Sequence, residues 1–490
     1  METLAKPEIQ GLIVRGYGRL PSAQFLLLEV RDAVLARGYL QRLCERGDGI
    51  SVTTANVSPD DVALHVAFTA PGLVQLGVPA SAVESFAREL VEGMDEPTRA
   101  MSLGDQGVND PEHWTWGREK PHVLLLIYAK DELMLAERVD RERTALEASG
   151  FHVIVAKHTA PLRADQKEHF GWKDGLSTPI MEGSERAADP HEVWTFPFRA
   201  GEFVLGYRNE YEAYSESPTV ALDDDPQGHL PLTSDGTAKD LGRNGTYLVY
   251  REMTQDVPGF WKYLATNSRE PGDDEVTRAI ALGSKMVGRW PGGAPLVASP
   301  SHDDPALSNI NDFTYHDEDQ HHRSTACPFG AHIRRANPRD QLPSEHDRDD
   351  SIEMVRKHQM IRRGRVFGPP LADSMDPRDF LAKRDEPDLG VRGLHFICLV
   401  GHIGRQFEFV QRAWINSPNF AAMFRDADPI IGVHRPPPDP NVSDEFTCPA
   451  EPLRRKYKGM PQFTRLVGGA YFFLPGMRAL RFIARHPLPL

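Results

Sequence analysis

Along the first third of the chain, apolar positions switch between two spacings. Gln24 to Val30 (Gln-Phe-Leu-Leu-Leu-Glu-Val) is a short apolar run of buried-strand type, and Asp32 through Leu43 follows with helical spacing and Asp32 as its N-cap. Ala63 to Thr69 and His122 to Ala129 predict further strands, Asp131 to Ser149 a helix, and Phe151 to Lys157 alternates as a strand again. Later segments repeat the theme with larger insertions. Glu202 to Tyr207 and Thr246 to Met253 predict strands, Val257 to Thr266 and Asp273 to Val287 helices. Gly393 to Val400 and Gly469 to Leu474 predict the last strands, around a helix from Ile403 to Ile415.

The first part therefore reads as βαββαβ, the order of a ferredoxin-like unit with helices on one face of an antiparallel sheet. The second part reads as another such unit, so the expected class is α+β with two ferredoxin-like domains. A chain of 490 residues with 40% hydrophobic content is long for one globular unit, which agrees with that division. The boundary is placed near residue 190, giving domains 1–190 and 191–490. No short tandem repeat is visible, so the duplication is one of structure. About forty residues after Trp290, rich in Pro, Gly, Asp and His, form a loop long enough to suggest function. Its His316-Asp-Glu-Asp-Gln-His321-His322 run invites a metal reading, although a solvated charged loop has the same composition.

Charge narrows the partners. Lys and Arg number 56 against 70 Asp and Glu, and the net charge of −14 disfavours nucleic acid and anionic membrane surfaces. Four scattered cysteines, Cys44, Cys327, Cys398 and Cys448, form neither a CxxC nor a CxxCH and read as free thiols. The N-terminal residues carry no apolar signal region and no apolar run reaches membrane-spanning length, so a cytoplasmic protein is expected. Oligomeric state is left open, a homodimer or higher homo-oligomer being compatible with the sequence.

Three stretches carry candidate chemistry. Cys327-Pro-Phe-Gly-Ala-His332-Ile-Arg-Arg-Ala-Asn-Pro-Arg339-Asp340 sets one histidine among arginines. A neutral imidazole is a normal axial ligand for haem iron, and guanidinium groups such as Arg334 and Arg339 suit haem propionates. Gly171-Trp-Lys-Asp174-Gly175 places a carboxylate between glycines that let backbone approach a flat ligand. Ile361-Arg362-Arg363-Gly364 supplies a cation. Cleaving a peroxide needs a group to carry a proton and a cation to offset developing charge, and Asp174 and Arg362 are of those two types. Read singly, each stretch has an ordinary explanation as a structural histidine, an Asp-Gly turn or a solvated basic turn.

Together the three resemble the dye-decolorizing peroxidase family, whose marks are GxxDG, a ligand histidine in an HxR…NPR context and a later RRG. Ile9 to Gly18, Val66 to Gly72, Phe396 to Trp414 and Gly468 to Pro475 also look like its longer, cytoplasmic-type members, so the likeness spans nearly the whole chain. The resemblance implies one haem b per chain, with His332 as axial ligand, Asp174 and Arg362 distal, and Gly175 beside the cofactor. It implies Leu394 and Phe396 as the dry lining of the peroxide pocket, in keeping with their shared strand face. It selects the first arginine of RRG, with Arg363 as runner-up. An acidic residue late in the chain is expected to hold the ligand imidazole, with Asp428 as first choice and Glu408 as second. Hydrogen peroxide would then oxidise bulky aromatic dyes and phenols through a ferryl-oxo intermediate. Electrons from substrates too large for the pocket would leave through a relay such as Trp172 or Trp414. The insertions at 291–326 and Arg435 to Pro440 leave access to the haem edge undefined. Two other classes remain compatible: a porphyrin-binding protein for storage, transfer or sensing, and a non-haem ferredoxin-like dimer holding a metal in the His-rich loop.

Overall fold

The structure is a computed structural model describing residues 3–45, 51–184, 197–317, 322–323, 326–342, 348–386, 390–434 and 443–485. Among the described residues nine strands form one antiparallel sheet: β1 (Ser22–Val30), β2 (Val62–Phe68), β3 (Val123–Ala129), β4 (Phe151–His158), β5 (Thr246–Gln255), β6 (Ile361–Arg362), β7 (Arg365–Phe367), β8 (Gly393–Val400) and β9 (Thr464–Leu474). The spatial order is β6-β8-β5-β9-β2-β3-β1-β4, with β7 also on β8. Each half keeps the same arrangement, its second, third, first and fourth strands side by side as in a ferredoxin-like unit, with β6 and β7, which both pair with β8, counted together as the second strand of the second half. The expected duplication is therefore present. Its two sheets are also continuous, joined edge to edge where Phe473 of β9 faces Phe68 of β2.

Successive strand residues feed different cores. Leu26 and Leu28 of β1 enter one cluster with Leu125, Val249 and Phe473, whereas Phe25 and Leu27 enter another with Leu124, Ile397 and Phe472. Burial of both faces explains why these strands read as unbroken apolar runs. The helices start at aspartates that accept backbone N–H groups. Asp32 caps α1 (Ala33–Cys44) through Leu35 N at 3.0 Å, and Asp131 caps α2 (Glu132–Glu147) through Met134 N at 2.8 Å. Asp256 and Asp274 cap α3 (Val257–Asn267) and α4 (Glu275–Val287) in the same way. α4 ends at Gly288, whose φ of +99° is left-handed.

Two expectations change, and others fall outside the described residues. Glu202 to Tyr207 is a buried loop: Gly206 has φ +85°, and the backbone bonds of Leu205 go to Gly245 and Asn244 instead of to a neighbouring strand. Its apolar run marks burial, which strand and packed loop share. Ile403 to Ile415 is helical but π-wound, in two segments at Gly404–Glu408 and Val410–Ile415. The boundary expected near 190 lies outside the described residues, as do Arg435 to Pro440 and His321 of the His-rich run. Among the described residues no group of His, Cys, Asp and Glu could hold a bare metal ion.

Candidate functional site

The second half of the sheet forms one wall of a cavity enclosing about 260 Å³ of water-accessible space. A single water occupies about 10–15 Å³ on such a measure, so the space suits a sizeable ligand. β8 turns Leu394 and Phe396 into it, while Ile397 and Leu399 point to the opposite core. Arg362 of β6 faces Cys398 across the ladder and lies on the cavity side. Its neighbour Arg363 is turned away to Leu12 O at 2.7 Å and Ile13 O at 2.9 Å, as alternation on a strand demands.

Asp174 reaches the same wall from the loop that follows β4. Gly171 (φ +102°) and Gly175 (φ +81°) shape that loop, and Phe380 is packed so closely on Gly171 that a Cβ would stand 2.7 Å from its ring. Arg362 Nη1 lies 3.4 Å from Asp174 Oδ1, which also accepts Gly175 N at 2.6 Å. Both recorded contacts fall on Oδ1. Oδ2 is thus the oxygen open to a proton.

Across the cavity, His332 opens the short helix α5 (His332–Ala336). Its Nδ1 lies 3.0 Å from Oδ2 of the fully buried Asp428, which can only accept, so Nδ1 carries a proton, and in the neutral ring it is the other nitrogen that keeps its lone pair. Burial pulls this imidazole down, but the charge and hydrogen bond of Asp428 outweigh it and leave it above the ordinary histidine range. Burial would raise Asp428, yet His332 and the backbone N–H of Ile431 hold it below the ordinary carboxylate range. Its Oδ1 accepts Ile430 N and Ile431 N, each at 2.9 Å. Glu408, the second choice for this post, instead accepts Arg99 and Tyr471, each at 2.7 Å.

The motif arginines part company with the cavity. Arg334 is buried with its guanidinium on Cys327 O, between the rings of Tyr315 and Phe329. Arg339 donates to Asn311 O and Phe313 O, each at 2.6 Å, and stacks over Phe313. Neither lines the cavity, and both brace the 303–317 loop and its approach. Of the two tryptophans, Trp172 lines the cavity and stacks on Trp261 with ring centres 5.4 Å apart, whereas Trp414 is buried elsewhere.

Several lining residues were not among the candidates read from the sequence. Arg289, in the turn after α4, is 3% exposed. Lys173 donates to Asn309 Oδ1 at 2.6 Å, and His358 gives Nδ1 to Arg405 O at 2.6 Å. Glu168 accepts Phe170 N at 2.9 Å, Trp172 N at 3.2 Å and Gln255 Nε2 at 2.8 Å, and burial pushes its carboxyl up to about 7. The donor set fits a haem: one imidazole with a carboxylate behind it, apolar walls from Val287, Ile333, Leu394, Phe396, Ile430 and Ile431, and cations on the rim.

No family model matches the chain. It is similar to a dye-decolorizing peroxidase of Mycena epipterygia, 30% identical over 402 residues, with 78% of this chain and 67% of that protein covered. A dye-decolorizing peroxidase of Mycetinis scorodonius is 28% identical over 499 residues, covering 97% of this chain and 87% of the relative. A solved dye-decolorizing peroxidase in complex with 2,6-dimethoxyphenol matches the fold at a TM-score of 0.75 and 26% identity, covering 98% of this chain and 100% of that one. No helix among the described residues is long and apolar enough to cross a membrane.

Proposed function

The chain belongs to the dye-decolorizing peroxidase family, whose members are haem peroxidases of dyes and phenolics, and we propose that His332, Asp174 and Arg362 carry this activity on one haem b. What supports it is a single arrangement: the His332 and Asp428 pair on one wall of a cavity whose opposite wall carries Asp174, Arg362, Leu394 and Phe396. Haem supplies the redox chemistry that consumes peroxide and draws electrons from an aromatic reductant.

The chain's own residues do the rest. With Nδ1–H given to Asp428, the other nitrogen of His332 would hold the haem iron, and the carboxylate would raise its basicity. Asp174 accepts the first peroxide proton on Oδ2 and returns it to the departing oxygen, while the Arg362 guanidinium offsets the negative charge that grows between them. Leu394 and Phe396 keep bulk water off that transfer. Gly175, with φ +81° and open space where a Cβ would stand, would let the loop carrying Asp174 approach the cofactor.

We place the protein in the cytoplasm, a reading supported by its four free cysteines. Absorption spectra of the purified chain, with peroxide-driven oxidation of 2,6-dimethoxyphenol by wild type and His332→Ala, test the assignment. A Soret band and turnover that both collapse in His332→Ala are expected. Stable haem uptake without turnover would favour a porphyrin carrier instead.

A further inference from the structure

Among the described residues, two buried side-chain polar atoms without a hydrogen-bond partner belong to the cavity wall, Gln255 Oε1 and Arg289 Nη2. The first is an acceptor and cannot serve an anion. The second belongs to a guanidinium that is 3% exposed and has no ion pair with any described carboxylate. Nη1 of Arg289 is fixed by Gly293 O at 2.8 Å and Ile310 O at 2.9 Å, and the group lies over the Phe313 ring, 5.3 Å from its centre. Trp172 Nε1 ties down the Arg289 carbonyl at 2.8 Å. The fork is therefore held in place from three sides while one nitrogen is left unanswered. A buried N–H of a charged group left without an acceptor is costly, which argues for an anion or other acceptor that the protein alone does not provide.

The charges on the wall say which. Asp174 answers Arg362, and burial pushes Glu168 up to about 7, so its carboxyl is only partly ionised near neutrality, and it makes no ion pair with Arg289. Burial and the nearby Arg362 both lower Arg289, to about 10, which still leaves it charged. We propose that Arg289, in place of the motif arginines Arg334 and Arg339, is the buried clamp for one haem propionate. This rests on the haem reading above. A carboxylate matches the guanidinium fork, and the apolar neighbours Val287 and Ile333 would pack the porphyrin edge beside it.

The test separates propionate from porphyrin. The full-length apoprotein is titrated with haem and with haem dimethyl ester, which lacks both propionate charges, for wild type, Arg289→Met, Arg289→Lys and His332→Ala. Arg289→Met should release haem about ten- to a hundredfold faster than wild type, the size of a lost charge-assisted hydrogen bond, while retention of the ester is unchanged. Arg289→Lys should fall between, because it keeps charge but loses the fork. The melting temperature of apo Arg289→Met is measured alongside, because the variant also loses the bonds to Gly293 O and Ile310 O, and only a loss for haem beyond that for the ester counts for the clamp. Equal losses for haem and ester, or no loss for either, would overturn the proposal. If Arg289→Met does not fold, the ratio of haem to ester retention in Arg289→Lys decides in its place. Failure of wild type to take up either porphyrin would sink the haem reading itself, and the clamp with it. A His332→Ala variant that still binds both normally would remove only the ligand assignment.

Discussion

His332 Nδ1 meets Asp428 Oδ2 at 3.0 Å, and the other oxygen of Asp428 is held by two backbone N–H groups, so the imidazole is fixed from behind by a carboxylate that cannot turn. Replacing Asp428 by Asn tests what that arrangement does. The amide oxygen would stay on Ile430 N and Ile431 N, which puts the amide N–H₂ against Nδ1 and moves the imidazole proton to the nitrogen needed for iron. Haem affinity should fall about ten- to a hundredfold with the fold intact, as losses behind a metal ligand commonly do. A haem titration followed by absorption measures it; unchanged affinity would mean that Asp428 does not set the tautomer.

The pair on the facing wall predicts a different defect. Asp174→Asn and Arg362→Leu should leave haem binding near wild type, since neither side chain is the ligand, and should slow peroxide consumption. The worse of the two should lose at least about a hundredfold, the ordinary size of a proton-transfer or charge-stabilising contribution. Turnover at saturating peroxide within about threefold of wild type in both variants would show that neither residue serves the reaction.

The residues on those two walls were legible in the sequence because short motifs fix both the residue type and its local backbone. The arginines were harder. Nothing in the Cys327 to Asp340 stretch reveals that Arg334 turns back to Cys327 O or that Arg339 reaches Asn311 and Phe313, because a long side chain's direction is set by what packs around it. Arg289 was missed for the same reason: a lone Arg-Trp pair after a glycine has no signature until the 303–317 loop closes over it. Strands were found where both faces are buried, as in β1 and β3, and misplaced at Glu202 to Tyr207, where an equally apolar segment packs as a loop. The π winding after Ile403 was invisible because thirteen residues are too few for hydrophobic spacing to distinguish it from an α-helix.

Gly171 offers a test of how firmly Asp174 is placed. Its φ of +102° disfavours any side chain, and an added Cβ would stand 2.7 Å from Phe380. Gly171→Ala should therefore cost about 1–3 kcal/mol in stability. Because Asp174 lies three residues further along the same loop, turnover should drop as well. Urea midpoints and dye oxidation measured on one preparation would show whether the two losses go together; full activity in a destabilised protein would mean that the loop tolerates the shift.

The last prediction concerns pH and Glu168. Burial raises its carboxyl to about 7 in the folded protein, against about 4.3 for an exposed glutamate. Between those values the folded state holds a proton that the unfolded state has released, so this residue's contribution to stability declines as pH rises from about 4 to 7 and stays low above that. Glu168→Gln cannot ionise. It still offers one acceptor oxygen to the loop N–H groups of Phe170 and Trp172, so it should cost little at pH 5, where the wild-type carboxyl is mostly neutral. At pH 8 the wild type bears a buried charge that the variant lacks, and the comparison should move in the variant's favour, by at most about 3 kcal/mol for a shift of this size. Urea unfolding of both apoproteins at pH 5 and pH 8 measures the change in that difference. If the gap between them is the same at both values, Glu168 is already ionised in the fold at pH 5 and its carboxylate is held by the loop N–H groups more strongly than burial opposes it.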